Sequence, residues 1–320
     1  MVMQIYSIEF TKIPDLPKTV CCIGFFDGLH KGHQLLLKTT LEEARKKHLP
    51  SGAILFDPDP WTLFHPDEEM DHLTPIEKRE AMFQEAGIDI LYIMHFTKEF
   101  AALTYEDFHE LLFDMHVQAL VCGTDFHYAS HNSGSIHTLK AQERIEIIAI
   151  EPLMEDQIEK ISSSKIEKEI EAGRIEEANA SLGYMYSIDG TIRHGFQRGS
   201  KILNIPTANL EPDSLFTLPA IGVYAGYMKL KNSYYPAMIN IGFNPTFGNT
   251  HKSIEAHVHD FDQDLYGKKV SFLFVQKIRP EHKFDSIEAL KTQLKQDIET
   301  TRQILAKKSI QDWSSVINLL

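Results

Sequence analysis

Val20-Cys21-Cys22-Ile23-Gly24-Phe25-Phe26-Asp27-Gly28-Leu29-His30-Lys31-Gly32-His33 runs from an apolar stretch through a glycine-containing segment into an amphipathic pattern. The spacing predicts a strand over Val20 to Phe25 and a helix from about Gly32 to His48. Strand, loop and helix together open a βαβ unit, and the pattern repeats outward from it. Gly52 to Phe56, Ile88 to Phe96, Ala119 to Cys122 and Ile145 to Ile150 read as further strands. Ile76 to Ala86 and Tyr105 to Met115 read as helices between them. Strands alternating with helices make a parallel sheet, whose ligands gather at the carboxyl ends of its strands. Ser163 to Ala172 and Ile175 to Leu182 read as two helices that close this half, and Gly183 marks a boundary.

Beyond Gly183 the pattern changes. Ile221 to Leu230, Tyr234 to Ile241, Ile254 to His259 and Lys269 to Val275 read as strands, separated by Gly, Asn, Pro and Asp clusters with no helix-length segments. That is an antiparallel β-domain closing into a barrel. A long amphipathic helix, about Ser286 to Leu305, follows Pro280, and the tail from Lys307 is unassigned. Two domains are expected, 1–183 and 184–320.

Composition narrows the function. Among 320 residues, 32 Lys+Arg face 45 Asp+Glu, a net charge of −13. A surface this acidic argues against broad binding to nucleic acid or anionic lipid, so neither partner is expected. Three cysteines are too few for a disulfide scaffold and read as buried thiols of a reducing compartment. The first ten residues lack a secretion pattern and no apolar run reaches a membrane span, so a cytoplasmic protein is expected. Oligomerisation stays open.

His30 and His33 stand three apart where the first strand meets the first helix. One helical turn puts both imidazoles on one face. Unpaired N–H groups at a helix entrance attract anions. Two imidazoles aimed at a triphosphate can stabilise the charge that develops as pyrophosphate leaves. Half a zinc site is the other reading, but no nearby Cys or acidic cluster completes it.

The string resembles the G-x-F-D-G-x-H-x-G-H signature of nucleotidylyltransferases, most closely the FAD synthetase module of bacterial bifunctional riboflavin kinase/FAD synthetases. Phe56-Asp57-Pro58-Asp59-Pro60, Leu73-Thr74-Pro75 with Lys78, Gly123-Thr124-Asp125-Phe126-His127-Tyr128 and Ile161-Ser162-Ser163-Ser164 resemble further family segments in order. The resemblance implies a Rossmann-like nucleotidylyltransferase sheet that transfers AMP from ATP to FMN, releasing pyrophosphate. It implies that Gly24, Phe26, Asp27, Gly28 and Gly32 form the nucleotide loop and that His30 and His33 contact ATP phosphates. Asp125 would line the nucleotide/flavin pocket, and Ser162, Ser163 and Ser164 would hold phosphate. Ser163 or Ser164 also reads as an N-cap. The sequence departs twice: Glu167 stands where the pattern has a phosphate-binding arginine, and Ala129 where it has glycine.

A second constellation lies at Gly190-Thr191-Ile192-Arg193-His194-Gly195-Phe196-Gln197-Arg198-Gly199-Ser200-Lys201, then Pro206-Thr207-Ala208-Asn209. Gly, Arg and Lys in one loop can wrap a polyphosphate. A hydroxyl and an amide beside a proline turn suit Mg²⁺ shared with nucleotide phosphates. No Walker loop occurs. The segment is similar to the riboflavin kinase signature, in a form closer to the eukaryotic kinases. Ile239-Asn240-Ile241-Gly242-Phe243-Asn244-Pro245-Thr246-Phe247, Ser253-Ile254-Glu255-Ala256-His257, Asp264-Leu265-Tyr266-Gly267 and Ile278-Arg279-Pro280-Glu281 continue the likeness. It implies a Greek-key barrel that phosphorylates riboflavin to FMN with Mg²⁺ and ATP. Gly195, Arg198, Gly199 and Lys201 would hold ATP; Thr207 and Asn209 would hold the metal and nucleotide. Glu255 would be the general base on the ribityl 5′-hydroxyl, and Arg279 would lie near the flavin. Asn204 stands where glycine is usual. The resemblance thus implies an enzyme with two activities. A chain with one of them degenerate, or a flavin- or nucleotide-binding regulator, remains the alternative.

Overall fold

The structure, a computed structural model, describes residues 2–65, 67–155, 159–193, 206–243 and 252–317. The chain forms two compact units, Met1–Ser163 with Val316–Leu320, and Ser164–Ser315.

The first unit is built on six parallel strands: β1 (Gln4–Ile8), β2 (Thr19–Ile23), β3 (Ser51–Asp57), β4 (Ile90–His95), β5 (Val117–Gly123) and β6 (Glu146–Ile150), in the order β1-β4-β3-β2-β5-β6. Every residue of β2 is buried. A strand covered on both faces reads as a continuous apolar run, which is why β2 is so visible in the sequence. It ends two residues earlier than its apolar run, because Phe26 turns into the left-handed region at φ 60°. Helix α1 (Lys31–Lys47) then packs Leu36, Leu37, Thr40, Leu41 and Ala44 inward, and α2 (Pro60–Phe64), α3 (Ile76–Glu85), α4 (Lys98–Ala101), α5 (Tyr105–Asp114) and α6 (Ile136–Ala141) follow between the later strands. Its last turn carries Arg45, Lys46 and Lys47, which complement the negative end of the helix dipole.

The strand order fixes where a ligand can sit. From β2 the chain passes to β3 and β4 on one side, and from β5 to β6 on the other. The order therefore reverses between β2 and β5, and a crevice forms outside their carboxyl ends. The segments leaving those ends are Gly24–His33 and Gly123–Tyr128, two of those that carry family-like motifs. β1 has no counterpart in the sequence reading, since this edge strand buries only Ile8 fully.

The second unit is a closed barrel of β9 (Ser187–Arg193), β10 (Ala208–Pro212), β11 (Gly222–Leu230), β12 (Ser233–Phe243), β13 (Lys252–Val258) and β14 (Lys269–Arg279), in the order β10-β13-β12-β11-β14-β9. β11, β12 and β13 form a meander and β14 returns beside β11, which is a Greek key. Sequence reading found four of these six strands. β9 and β10 flank the glycine- and charge-bearing stretch read as a phosphate loop, taking up only its ends at 190–193 and 208–209, and they pair with each other and close the barrel. Helices α7 (Ser163–Glu171) and α8 (Ile175–Leu182), expected to close the first half, pack in this second unit. Asn179 of α8 accepts from Tyr186 N at 2.7 Å and donates to Phe274 O at 2.9 Å, spanning helix and barrel with one amide.

The long helix α9 (Ile287–Leu305) starts at Ser286, whose hydroxyl accepts from Ala289 N. One of its buried residues is Asp297, which takes Nε and Nη2 of Arg279 in a two-pronged ion pair, 2.7 Å at its shortest. Gln293 Nε2 adds a third donor at 2.9 Å. The unassigned tail forms a further short helix, α10 (Trp313–Ile317), ahead of which Asp312 meets Lys229 at 2.7 Å and also Tyr234 and Ser314. Burial pushes the Asp312 carboxyl up, but those partners outweigh it and hold it down to about 2.

Removing one partner of the Arg279–Asp297 pair leaves a buried charge uncompensated. Asp297→Ala is expected to lower unfolding stability by about 3–5 kcal/mol in denaturant titrations. A loss under about 1 kcal/mol would mean that the pair is solvated and weak.

Candidate functional sites

The first site grows from Asp27. Its carboxylate is 2% exposed and accepts from Leu73 N at 3.1 Å, Thr74 N at 2.7 Å and Thr74 Oγ1 at 3.0 Å. Thr74 Oγ1 in turn accepts from Gly28 N at 2.7 Å. His72 Nδ1 lies 3.7 Å from the same carboxylate. Burial would raise the Asp27 pKa, but His72, Arg79 and the Thr74 amide outweigh it, and the carboxyl lies below its usual range. Arg79, itself buried, donates to Phe25 O at 2.8 Å and covers the Phe25 ring. On the other side Ser163 Oγ donates to Asp27 O at 2.8 Å. Asp27 thus knots the loop to Leu73, Thr74 and Ser163.

The knot delivers the two histidines. His30 caps α1, with its Nδ1 accepting from His33 N at 3.4 Å, and the two rings stack at 3.8 Å. An Nδ1 that accepts leaves the proton on Nε2 of His30. Gly32 permits the stack, since a Cβ there would lie 3.1 Å from His30 Cε1. Phe26 packs edge-on against His33 at 5.1 Å. Burial, then the charge of Lys160, pushes the His30 pKa down to about 4. Burial, then His30 and Lys160, hold His33 well below its ordinary value. Both rings are therefore neutral near pH 7. His33 Nδ1 is buried without a hydrogen-bond partner among the described residues.

Lys160 belongs to a two-stranded hairpin, β7 (Met154–Glu155) and β8 (Glu159–Lys160), and pairs with Asp125 beyond the end of β5. Asp125 and Lys160 both lie close to half-exposed. Ser162 precedes α7, while Ser164 and Glu167 lie within it. Of the residues shaping this site, His72, Arg79 and Lys160 were missed by sequence reading. A buried arginine and a cation brought in by a short hairpin leave no periodic signal.

Ala129 stands at φ 62°, ψ 178°, between Tyr128 and a tight turn closed by Asn132 N to Ala129 O. That region is essentially reserved for glycine.

The second site gathers on the barrel. In the strand register Glu255 of β13 lies between Asn209 of β10 and Asn240 of β12. Burial raises the Glu255 pKa, Thr207 lowers it, Glu281 raises it further, and the net shift is upward. Gly242 lets these groups converge, since a Cβ there would sit 3.1 Å from Asn240 Nδ2 and 3.2 Å from Glu281 Oε1. A cleft of about 320 Å³ opens beside Thr207, with Arg193, Phe261, Leu265 and Tyr266 in its walls. Arg279 is the sequence candidate whose charged face is committed elsewhere, to Asp297. Gly195, Arg198, Gly199, Lys201 and Asn204 lie outside the described residues, as do Asn244 to Phe247. Both Asn240 and Glu281 lie in segments that carry the family likeness, but their places beside Glu255 come from strand register for Asn240 and from the Gly242 approach for Glu281.

Comparison with known proteins follows this division. A family model described as FAD synthetase matches residues 12–165, and one described as riboflavin kinase matches residues 182–305. The chain is 35% identical over 293 residues to the bifunctional riboflavin kinase/FMN adenylyltransferase of Listeria monocytogenes, covering 90% of this chain and 93% of that one. Proteins of the same name from Bacillus subtilis and Escherichia coli K12 are 33% and 32% identical. They cover 88% and 89% of this chain, and 90% and 92% of their own lengths are matched. A crystal structure described as a macrolide-efflux protein from Streptococcus pneumoniae superposes with a TM-score of 0.86 at 32% identity, covering 94% of this chain and 99% of that one.

Two outcomes follow from the first site. An imidazole with a folded pKa near 4, against about 6.5 when unfolded, lets the unfolded chain bind the proton first. Its stabilising contribution is complete above pH 6.5 and is lost as pH falls toward 4, about 3 kcal/mol for His30. Denaturant titrations across that window should show a shallower slope for His30→Gln than for the wild type; equal slopes would contradict the neutral assignment. Ala129→Gly should raise stability by about 1 kcal/mol through relief of strain, and a loss would show that the backbone there is relaxed.

Proposed function

Because the chain belongs to the bifunctional riboflavin kinase/FMN adenylyltransferase family, we infer that it phosphorylates riboflavin to FMN and then adenylylates FMN to FAD, using one ATP in each step. The observation that carries this reading is the presence of two differently built sites in one chain. One offers stacked neutral imidazoles at the switch point of a parallel sheet, and the other a carboxylate between two amides on a barrel. Adenylylation is assigned to the first unit and phosphorylation to the barrel.

In adenylylation an FMN phosphate oxygen attacks the α-phosphorus of ATP, and the bond to pyrophosphate breaks. The neutral His30, with its proton on Nε2, donates a hydrogen bond to phosphate oxygen as charge moves onto the leaving group. An arriving polyphosphate favours protonation of both rings, which strengthens that donation. Lys160 contributes positive charge next to the histidines while the family-pattern arginine is Glu167. Asp27, by tying its loop to Leu73 and Thr74, holds the imidazoles in place before ATP arrives, and Ser163 closes the loop from the far side.

In phosphorylation Glu255 accepts the proton of the ribityl 5′-hydroxyl as that oxygen attacks the γ-phosphorus and ADP leaves. A carboxylate with a raised pKa is the stronger base. The Thr207 hydroxyl and the Asn209 amide oxygen fit Mg²⁺, being hard oxygen donors beside a carboxylate. No cluster of three or more His, Cys, Asp or Glu capable of holding a metal occurs among the described residues, so nucleotide phosphate and water would complete the set. When bound, the metal neutralises charge on the phosphates. The cleft walled by Arg193 and Tyr266 is assigned to the nucleotide. A cytoplasmic location accords with three unpaired, buried cysteines whose thiols burial raises to about 12.

Two experiments separate the sites. Glu255→Gln is expected to abolish FMN formation from riboflavin, a loss of at least about 100-fold, while FAD formation from supplied FMN continues. Retained kinase turnover would remove Glu255 from the base role. Glu281→Gln removes a negative charge that raises the Glu255 pKa, so the acid limb of the kinase pH–rate profile should move to lower pH. A limb that stays in place would mean another group sets it.

A further inference from the structure

The ladder between β10 and β13 begins at Ala208 opposite Ala256 and continues through Asn209–Glu255 and Leu210–Ile254. Pro206 and Thr207 precede it and are exposed. Proline has no N–H with which to extend a ladder, so Pro206 needs another tie to the sheet. That tie is a side chain: the Nδ1 of His257 lies 3.0 Å from Pro206 O. A carbonyl only accepts, so Nδ1 carries the proton and the imidazole is the donor. Residues 255 and 257 project from the same face of β13. His257 thus holds the turn at the Pro206 carbonyl, one residue before Thr207, and Thr207 is the residue that lowers the pKa of the neighbouring Glu255.

We propose that His257 is a positioning residue of the kinase site, whose Nδ1–H clamps the Pro206 carbonyl and thereby aims the Thr207 hydroxyl at Glu255 and at the metal-bound nucleotide. The proposal rests on the kinase reading of the barrel. The Pro206–Thr207 peptide can otherwise rotate, because Thr207 is exposed and its hydroxyl rotor has solvent to turn to. His257 itself touches no substrate in this arrangement; it acts through the turn. Its effect therefore falls on nucleotide affinity before it falls on flavin affinity, and any residue able to donate from the same place should replace it.

Asparagine places an N–H about as far from the backbone as Nδ1 of histidine, whereas phenylalanine keeps the ring and lacks the donor. In the full chain, Mg-ADP affinity by titration calorimetry gives a readout independent of turnover. Loss of one such hydrogen bond should weaken Mg-ADP binding and raise KM for Mg-ATP about tenfold in His257→Phe, with KM for riboflavin changed by less than about twofold. His257→Asn should return both nucleotide values to within about threefold of wild type. FAD formation from FMN should be the same in all three proteins. A merely structural role would reduce the active fraction, and hence kcat, with both nucleotide constants unmoved; that result, or an Asn variant no better than Phe, overturns the proposal. Should circular dichroism and thermal melts show that His257→Phe does not fold, His257→Ala takes its place with the same expectations. If the wild-type chain binds Mg-ADP but does not phosphorylate riboflavin, the kinase reading fails, and the comparison of ADP affinities still decides the clamp.

Discussion

The buried Asp27 carboxylate is the interaction on which the first site depends. It accepts three hydrogen bonds from Leu73 and Thr74, while its own carbonyl accepts from Ser163. A carboxylate can stay ionised in so dry a place only because His72, Arg79 and these donors surround it. One residue therefore joins the loop after β2 to two segments far away in sequence. The local geometry that follows is an extended His30 capping α1 and a stacked His33. Catalysis by positioned hydrogen bonds requires donors that do not reorganise, and the knot supplies that rigidity.

The barrel solves a similar problem with strand register. Glu255 is fixed by its place between Asn209 and Asn240, so neither a loop nor a helix end has to hold it. Sites built on strands are held more precisely than sites on loops. The Arg279–Asp297 pair and Asp312 serve the same end from outside the site, locking α9 and the tail onto the barrel. Arg279 shows how resemblance and geometry divide the labour. The motif locates it at the end of β14, and the structure gives its Nε and Nη2 to Asp297.

Much of this was legible in the sequence wherever burial was complete. β2 to β5 are runs of apolar residues, and the pair His30–His33 marks itself by spacing after a strand. The Greek key was harder, because β9 and β10 border a glycine- and charge-rich stretch, carry Gly190 and Pro212 themselves, and pair with β14 and β13. The electrostatic state of the histidines was not legible. It depends on burial and on Lys160, which a hairpin brings from 127 positions beyond His33. The places of Asn240, Glu281 and Arg79 were not legible for the same reason: they come from register and packing, which single-sequence patterns do not encode. Ala129 was visible as a departure from the family pattern, but its consequence needed the backbone angle.

The central claim is that one chain performs two consecutive ATP-dependent steps at two separate sites. The most direct measurement is chromatography of the flavins formed when the purified wild-type chain is given Mg²⁺ and excess ATP, with riboflavin and with FMN as separate substrates. The account predicts FMN and then FAD from riboflavin, and FAD from FMN. FMN accumulating with no FAD from either substrate, or FAD from FMN with no product from riboflavin, would contradict it.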